Sequence, residues 1–473
     1  MTVSSKIDNE QFQVSNEKIQ TSLTTEQKEA VGLLSIGTFL EYFDLMLYVH
    51  MAILMNDLFF PRTDPFTSSL LLAFAFWSTY LLRPFGAIVF GYIGDKIGRK
   101  TTVVITTLMM SFACITMVLV KTYEEIGITA SIIVTLCRMI QGMSCVGEVS
   151  GAELYLTETI KPPVQYPAVT AVTVLSVLGA TSALGLASYV TSSDEANWRI
   201  AFMIGAFIAV VGFVARTSLK ETPDFVDAKR RIKLLLDSNN NDLKDSKIYD
   251  KIINKKVNIK TTISYFLIRC AWPACFYFVF IHCANLYKTS FGFTANQVIH
   301  QNFLVSMCEL LMAVFLLLLS RIVYPLKILK AIVCIYSIFI LITPYLLSVV
   351  SNPSELFYIQ LFSGVFALGI IPGSSILYKH FPIFKRFTYT SMLYAFSRIF
   401  MYGVTSFGLI YLVKFFGDYG FLILMAPIII GYVLGLSHFE YLEIKAGNYP
   451  QKQNDYNRDK KNVIRQSDDV LIN

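Results

Sequence analysis

Twelve apolar runs of membrane-spanning length recur along this chain of 473 residues. A helix needs about 20 mainly apolar residues to cross a bilayer, and each run supplies close to that number. Only 15% of the residues are charged, whereas soluble domains usually have about 25%. The sequence therefore predicts an all-α membrane protein with twelve transmembrane helices. They are predicted at residues 31–55, 69–94, 101–120, 126–150, 165–190, 200–218, 261–286, 297–320, 328–350, 355–378, 389–415 and 420–440.

Polar segments divide these runs into two sets of six. A charged linker, residues 219–260, separates the sets, and polar tails at 1–30 and 441–473 flank them. We therefore expect six helices within residues 31–218 and six within residues 261–440. The chain shows no Walker loop, metal-ligand motif or nucleophile elbow, so we expect no enzymatic activity, cofactor or bound metal.

Lysine and arginine residues concentrate on one side of the predicted membrane. With an even number of spans, both termini lie on that side, together with the basic linker and the turn at residues 95–100. Cytoplasmic loops carry an excess of lysine and arginine, so we place both termini and the linker in the cytoplasm. Topology thus explains the formal net charge of +7, and we expect no nucleic-acid partner.

Apart from the residues assigned to loops and tails, nine charged residues remain in or next to the predicted helices. A charge at the centre of a bilayer costs about 2.5–3.5 kcal/mol on insertion scales, so each needs a partner or access to water. Two interpretations stay open: an ion-pair network that fixes helix register, and a water-filled cavity lined by the charges. We expect Glu148 and Glu153 near the cytoplasmic end of the fourth helix, where water reaches them. The nine are Glu41, Asp44, Arg83, Arg138, Glu148, Glu153, Arg269, Glu309 and Arg398.

Residue spacing places several polar side chains on shared helix faces. Glu41, Asp44 and Tyr48 follow the i, i+3, i+7 pattern of one face of the first helix. Arg138 and Gln141 share a face of the fourth helix by the same rule. The first half of the chain thus brings acids and bases to a similar depth in the membrane.

The turn between the second and third helices has an unusual composition. From Asp95 to Lys100 it carries one acid and three bases in six residues. Gly91 and Gly94 are spaced for close helix packing, and Gly98 permits a turn with positive φ. The helix dipole disfavours an anion at the end of the second helix by about 0.3–1 kcal/mol. Asp95 should therefore have a partner, such as a nearby arginine or the N-terminus of another helix.

These motifs resemble a known family. The turn Gly91-x-x-Gly94-Asp95-Lys96-x-Gly98-Arg99-Lys100 resembles the signature of the major facilitator superfamily. Further motifs in the first half resemble its metabolite:proton symporter branch, and within that branch the proline/betaine transporters. The second half matches less well, since residues 319–327 lack the acid and glycine of the repeated turn. The branch motifs are Gly37–Tyr48, Leu82–Ala87, Arg138–Glu148, Asn197–Phe202 and Lys220–Phe225.

The resemblance implies the major facilitator fold, in which two six-helix bundles alternate access to a central site. It implies proton-coupled symport of a small carboxylate or zwitterion across the lipid bilayer of a bacterial inner membrane, by a protein that works as a monomer. Two alternatives stay open. One is an energy-independent facilitator or exchanger on the same fold, and the other is a non-transporting sensor, which the altered second-half turn favours.

The resemblance and the residue chemistry together assign expected roles. When a substrate carboxylate takes an arginine from an acid, that acid loses its counter-ion and takes up a proton. We expect Asp44, Glu41 and Arg138 to couple the proton in this way, and Arg398 to form a second pair with Glu309. The expected substrate-binding residues are Arg83, Tyr48, Gln141, Arg398, Glu309 and Arg269. The expected gating residues are Gly91, Asp95, Gly98, Arg99 and Lys100.

Overall fold

The computed structural model describes residues 20–61, 77–191, 198–217 and 257–450. Within these ranges the regular structure is helical, apart from one isolated bridge between Gln20 and Pro163. Almost all of the predicted linker and most of both predicted tails lie outside the described residues. Among the described residues, eight helices are long and apolar enough by themselves to cross a membrane.

The helices of the first half lie where the apolar runs predict them. Helical residues 77–81 are separated by a turn at Leu82 from the next helix, which begins at Arg83 with Pro84 in its first turn. Proline fits there because the first backbone N–H groups of a helix have no partner within it. The helices are α1 (Thr25–Phe59), α2 (Arg83–Lys96), α3 (Arg99–Leu119), α4 (Ile128–Thr159), α5 (Gln165–Thr191) and α6 (Trp198–Thr217).

Three segments of the second half are interrupted. One π-helical turn lies at Phe278–His282 and another at Val404–Gly408. The tenth segment was expected to be one helix over residues 355–378, but it ends at Val365 and resumes as a short helix, Ser374–Lys379. The helices are α7 (Ile259–Phe291), α8 (Ala295–Leu319), α9 (Pro325–Val349), α10 (Pro353–Val365), α11 (Ile383–Phe416) and α12 (Tyr419–Lys445).

Several helices extend beyond their apolar runs, and two of them reach into the predicted polar tails. α1 begins at Thr25 rather than at residue 31. The N–H of Gln27 donates to Oγ1 of Thr24 at 3.2 Å, and the N–H of Thr24 donates to Oε1 of Gln27 at 3.0 Å, so the polar first turn is capped. α12 continues past residue 440, where the hydroxyl of Tyr324 donates to the buried carboxylate of Glu443 at 2.6 Å. Side-chain hydrogen bonds therefore stabilise turns that hydropathy alone assigns to the tails.

The helices pack as two groups that meet along two seams. In the first half α1 packs on α5, and α3 packs on both α4 and α6. In the second half α7 packs on α11 and α12, and α9 also packs on α12. The halves meet where α2 packs on α11 and where α5 packs on α8. Thr181 of α5 and Ser306 of α8 are hydrogen-bonded across the second seam at 2.7 Å.

Candidate functional site

A central cavity of about 170 Å³ lies between the two halves. Its wall is mostly apolar and aromatic, with a few charged side chains that come from helices of both halves. Such a wall is typical of a small-molecule site, in which a few polar groups fix the orientation of the ligand. The charged residues are Arg83 of α2, Glu153 of α4, Arg269 of α7, Glu309 of α8 and Arg398 of α11. The aromatic residues are Tyr42, Tyr80, Trp272, Phe276, Phe280, Tyr394 and Tyr402.

Arg398 and Arg83 are held in the cavity wall by tyrosine rings. The guanidinium of Arg398 lies 4.9 Å from the ring centroid of Tyr394, and that of Arg83 lies 4.3 Å from the ring of Tyr80. Arg398 is only 6% exposed, and among the described residues its Nη1 has no hydrogen-bond partner. Ring contacts support the face of a guanidinium but leave its N–H donors available. Arg398 can therefore donate to an anion in the cavity.

Glu309 lies in the cavity wall and packs against α10. A methyl group placed on Gly364 would approach Oε1 of Glu309 to 2.6 Å, so the absence of a side chain there makes room for the carboxyl group. Within the described ranges Glu309 forms neither an ion pair nor a hydrogen bond. The expected pair with Arg398 is therefore not formed, although both residues line the same cavity. The cavity thus presents an acid and a base that do not neutralise each other.

The break in the tenth segment also lines the cavity. Residues 366–373 are not helical, and Ala367, Gly369 and Ile370 contribute to the cavity wall. The hydroxyl of Tyr432 donates to the carbonyl of Gly369 at 2.5 Å, which satisfies one of the freed backbone groups. Non-helical backbone at membrane depth is tolerated where it is buried in protein or lines a cavity. Gly369, Pro372 and Gly373 were the sequence signal for this break, and it was missed.

Arg269 and Glu153 connect the two halves at the cavity wall. Nη2 of Arg269 lies 3.8 Å from Oε2 of Glu153 and donates to the hydroxyl of Tyr378 at 2.7 Å. The hydroxyl of Tyr378 in turn donates to the same carboxylate. Glu153 was expected near water at the end of α4; it is only 3% exposed and lines the cavity instead. Its pairing with a helix of the other half buries it.

Asp44 belongs to a second polar cluster inside the first half. Its Oδ2 accepts hydrogen bonds from Nε2 of Gln141 at 2.8 Å and from Sγ of Cys114 at 2.7 Å. Nη1 of Arg138 donates to Oε1 of Gln141 at 2.8 Å. Gly205 of α6 makes room for the group, because a methyl there would lie 2.8 Å from Oδ1 of Asp44. Gln141 thus links the acid to the base.

Of the two interpretations of the buried charges, a cavity lining and a network that fixes helix register, the Asp44 cluster fits the network. Asp44, Arg138 and Gln141 are buried but do not contribute to the cavity wall, and neither does the buried Glu41. The cavity face of α1 carries Tyr42 instead, one residue and about 100° around the helix from Glu41. The side chain of Tyr48, another expected cavity residue, lies outside the described residues. Spacing identified a common face for the acids but not the direction of that face.

The expected gating residues lie where α2 meets the start of α11. Oδ2 of Asp95 accepts hydrogen bonds from the backbone N–H and the hydroxyl of Thr388, at 2.9 and 2.6 Å. This is the partner near a helix N-terminus that the sequence predicts. A methyl on Gly91 would lie 2.8 Å from Cα of Thr388, so glycine is required at this crossing. Gly98 precedes α3 with a φ of +153°, as its position in the turn predicts.

Two further gating residues and a second bridge complete this end of the molecule. Arg99 and Lys100 form the start of α3, and the side chain of Arg99 lies outside the described residues. Nη1 of Arg386 at the start of α11 lies 3.3 Å from Oε1 of Glu158 at the end of α4. This end is therefore closed by polar contacts between the two halves.

Comparison with known proteins assigns the chain to a family. Residues 34–399 match the sequence model of the Major Facilitator Superfamily. Because this match covers most of the chain, the protein belongs to the Major Facilitator Superfamily. The resemblance noted from the motifs and the predicted all-α membrane fold are both confirmed.

Among curated proteins, the chain is similar to bacterial transporters. The inner membrane metabolite transport protein YhjE of Escherichia coli K12 is 31% identical over 47% of this chain and 52% of its own length. The proline/betaine transporter of the same organism is 32% identical over 42% of this chain and 41% of its own length. The citrate-proton symporter of Salmonella typhi is 34% identical over 43% and 48%. The chain thus matches about half the length of these relatives.

Solved structures show the same fold at low sequence identity. The proton:xylose symporter XylE, bound to 6-bromo-6-deoxy-D-glucose, matches with a TM-score of 0.71 and 14% identity over 91% of this chain and 97% of its own. The human organic anion transporter MFSD10 matches with a TM-score of 0.64 and 14% identity over 87% and 100%. At such identities the likeness concerns the fold.

Proposed function

We propose that this protein is a secondary active transporter that moves a small carboxylate or zwitterion together with protons across the bacterial inner membrane. We place both termini in the cytoplasm, so that the end carrying Asp95 faces the cytoplasm. The observation that carries the proposal is the cavity between the halves, in which Arg398 has an unpartnered donor and Glu309 has no counter-ion among the described residues.

The cavity chemistry suits a ligand with two charged ends. A guanidinium binds a carboxylate through two parallel hydrogen bonds, and Arg398 and Arg83 supply that group. Glu309 and the ring of Trp272 in the same wall suit an ammonium or quaternary ammonium group. A zwitterion would satisfy both ends, whereas a simple carboxylate would leave Glu309 to be neutralised by a proton.

The Asp44 cluster is the site at which we propose that the proton binds. Arg138 stabilises the carboxylate of Asp44 through Gln141, and the cluster bridges α1 and α4 within the first half. A shift of α4 that breaks this link removes the compensating charge, and Asp44 then binds a proton more readily. Glu41 lies one helical turn away on the same face of α1 and is the second candidate carrier. In this scheme the proton site is next to the cavity and not inside it.

The contact between α2 and α11 supplies the gate. Asp95 and Gly91 hold α2 against the start of α11, so separating the halves at this end breaks the two hydrogen bonds to Thr388. Rocking of the two halves would then expose the cavity to the cytoplasm.

A panel of labelled compounds tests the substrate class. L-proline, glycine betaine, citrate and a neutral sugar would be offered to vesicles containing the purified protein, at two pH values. We expect uptake of at least one carboxylate or zwitterion, no uptake of the sugar, and loss of uptake in Arg398→Gln. Transport of the sugar that survives Arg398→Gln would overturn the proposal. An uptake rate that is the same at both pH values would favour an energy-independent facilitator.

A further inference from the structure

We infer that Glu153 is a proton-controlled latch, whose carboxylate holds the two halves together at the cavity wall and releases them when it is protonated. This inference rests on the proposed proton-coupled transport but concerns a residue that lies outside the Asp44 cluster. We call Glu153, Thr173, Tyr265, Arg269 and Tyr378 the floor cluster.

The floor cluster joins helices of both halves through one carboxylate. Glu153 of α4 accepts a hydrogen bond from the hydroxyl of Thr173 of α5 at 3.1 Å, which fixes it within the first half. Its other oxygen faces Arg269 of α7 and the hydroxyl of Tyr378 in the short helix Ser374–Lys379. Both of these groups belong to the second half. Separating the halves therefore requires breaking the contacts of this single charge.

The floor cluster lies toward the closed end of the cavity. Glu158, which follows Glu153 along α4, pairs with Arg386. Arg386 also donates from Nε to the carbonyl of Phe381, close to Tyr378 in sequence, at 3.0 Å. Glu158 does not line the cavity, whereas Glu153 and Arg269 do. Of these two bridges, only the Glu153 bridge lines the cavity. A ligand or a proton in the cavity therefore contacts Glu153 and not Glu158.

Protonation changes what Glu153 can hold. The carboxylate accepts from Thr173 and Tyr378 and attracts Arg269, and a proton added to one of its oxygens removes that attraction. Arg269 retains its bond from Nε to the hydroxyl of Tyr265 at 2.8 Å, so the guanidinium remains held in the wall. It is then available to a substrate carboxylate. Proton binding and substrate binding thus loosen the same bridge.

The charged and titratable groups around the cluster are compatible with this role. α7 contributes Arg269 and Tyr265, the short helix contributes Tyr378, and α11 contributes Tyr394, whose ring lies 5.1 Å from the Arg269 guanidinium. The guanidinium of Arg398, also on α11, lies 4.9 Å from the centroid of the same Tyr394 ring, so two cations approach one ring and repel each other. Neutralising Glu153 leaves that repulsion uncompensated, which favours opening.

Hydrogen–deuterium exchange of the full-length protein without substrate tests the latch. Backbone protection of the helix Ser374–Lys379 would be measured at an acidic and a mildly alkaline pH and corrected for the intrinsic exchange rate. In the wild type we expect protection to fall about tenfold at acidic pH, the size expected for the loss of one charge-assisted hydrogen bond. In Glu153→Gln, a neutral side chain of the same shape, we expect low protection at both pH values.

Two further variants separate the latch from simple packing. Glu158→Gln removes the neighbouring bridge and should lower protection while keeping its pH dependence. Tyr378→Phe removes one hydroxyl but leaves Glu153 titratable, so it should also keep the pH dependence. A pH dependence that survives in Glu153→Gln, or that is absent from the wild type, would overturn the inference.

Transport distinguishes this inference from the proposed function. With L-proline and glycine betaine as probes, Glu153→Gln should lose accumulation driven by a pH gradient but retain exchange of labelled for unlabelled compound. If the wild type transports neither probe nor any other member of the panel, the proposed function fails. Hydrogen–deuterium exchange still decides whether Glu153 is a latch, because it is measured without substrate.

Discussion

Arg398 is the residue on which the substrate proposal depends most. A buried donor without a partner costs about 1–3 kcal/mol, so a ligand that supplies the acceptor recovers that free energy on binding. The Tyr394 ring holds the guanidinium in position, which reduces the entropy lost when a carboxylate binds. The residue is thus organised to bind an anion before the anion arrives.

Replacing Arg398 with lysine tests the paired hydrogen bonds. Arg398→Lys keeps the positive charge but loses the planar fork, so KM for the carboxylate substrate should rise about 10–100-fold. The measurement is initial uptake by vesicles over a range of concentrations. An unchanged KM would mean that Arg398 does not contact the substrate.

Glu309 is expected to select for a cationic group on the substrate. Glu309→Gln removes the negative charge with little change in shape, so uptake of glycine betaine should fall about tenfold or more, while uptake of citrate should change less. Competition between the two compounds in the same vesicles measures the ratio. Equal losses for both compounds would indicate that Glu309 does not discriminate between them.

Asp44 and Glu41 are the residues to which we assign the proton. Asp44→Asn leaves Gln141 a hydrogen-bonding partner but removes the group that titrates, so gradient-driven uptake should be lost while exchange persists. Glu41→Gln is the parallel variant, and Cys114→Ser is a control that keeps a donor beside Asp44. Proton-driven uptake that remains intact in both acid variants would show that the proton is carried elsewhere.

The residue scale also shows where sequence reasoning ends. Helical spacing correctly grouped Glu41 with Asp44, because that relation depends only on 3.6 residues per turn. It gave no direction for their face, since direction depends on the packing of α1 against other helices. Glu153 was expected in reach of water because it lies near the predicted cytoplasmic end of its helix. Its partners, Arg269 and Tyr378, are far away in the sequence and could not be inferred from it. Their proximity is a property of the assembled halves.

At the scale of helices, the crossing of α2 and α11 functions as the gate in our proposal. Gly91 allows the two helices to come into contact. Asp95 accepts a hydrogen bond from the backbone N–H of Thr388 in the first part of α11. The sequence predicted that Asp95 needs a partner, because helix-dipole physics is local. It did not identify Thr388, since that contact joins the two halves.

Replacing Asp95 tests the gate separately from the binding site. Asp95→Asn retains an acceptor for Thr388 but loses the charge, so it should weaken closure at this end. We expect transport rates and the balance between inward and outward states to change more than substrate selectivity does. Uptake of the compound panel, with accessibility of the cavity from each side, measures both. Altered selectivity with normal turnover would contradict this role.

The broken tenth segment shows a limit of hydropathy at the same scale. Its residues are mainly apolar, so a continuous helix was the simplest prediction. Gly369, Pro372 and Gly373 disfavour a helix, but proline and glycine also occur inside intact membrane helices, where neighbouring groups satisfy the freed backbone. Whether the helix breaks depends on the cavity and on Tyr432, whose hydroxyl donates a hydrogen bond to the freed carbonyl of Gly369.

At the scale of the whole molecule, the fold was the most predictable feature. The bilayer requires a spanning helix of fixed length with its backbone hydrogen bonds satisfied internally, so apolar runs indicate the helices directly. The seams of α2 with α11 and α5 with α8 are not visible in those runs. They determine which charges face the cavity and which, like Asp44, remain inside one half.

The measurement that tests proton-coupled transport most directly is accumulation by vesicles under an imposed pH gradient. The best-transported compound of the panel would be present at equal concentration on both sides, with the exterior made acidic relative to the interior. Proton-coupled transport predicts that the compound accumulates inside above its external concentration, and that a protonophore abolishes the accumulation. Equilibration without accumulation, unaffected by the protonophore, would contradict it.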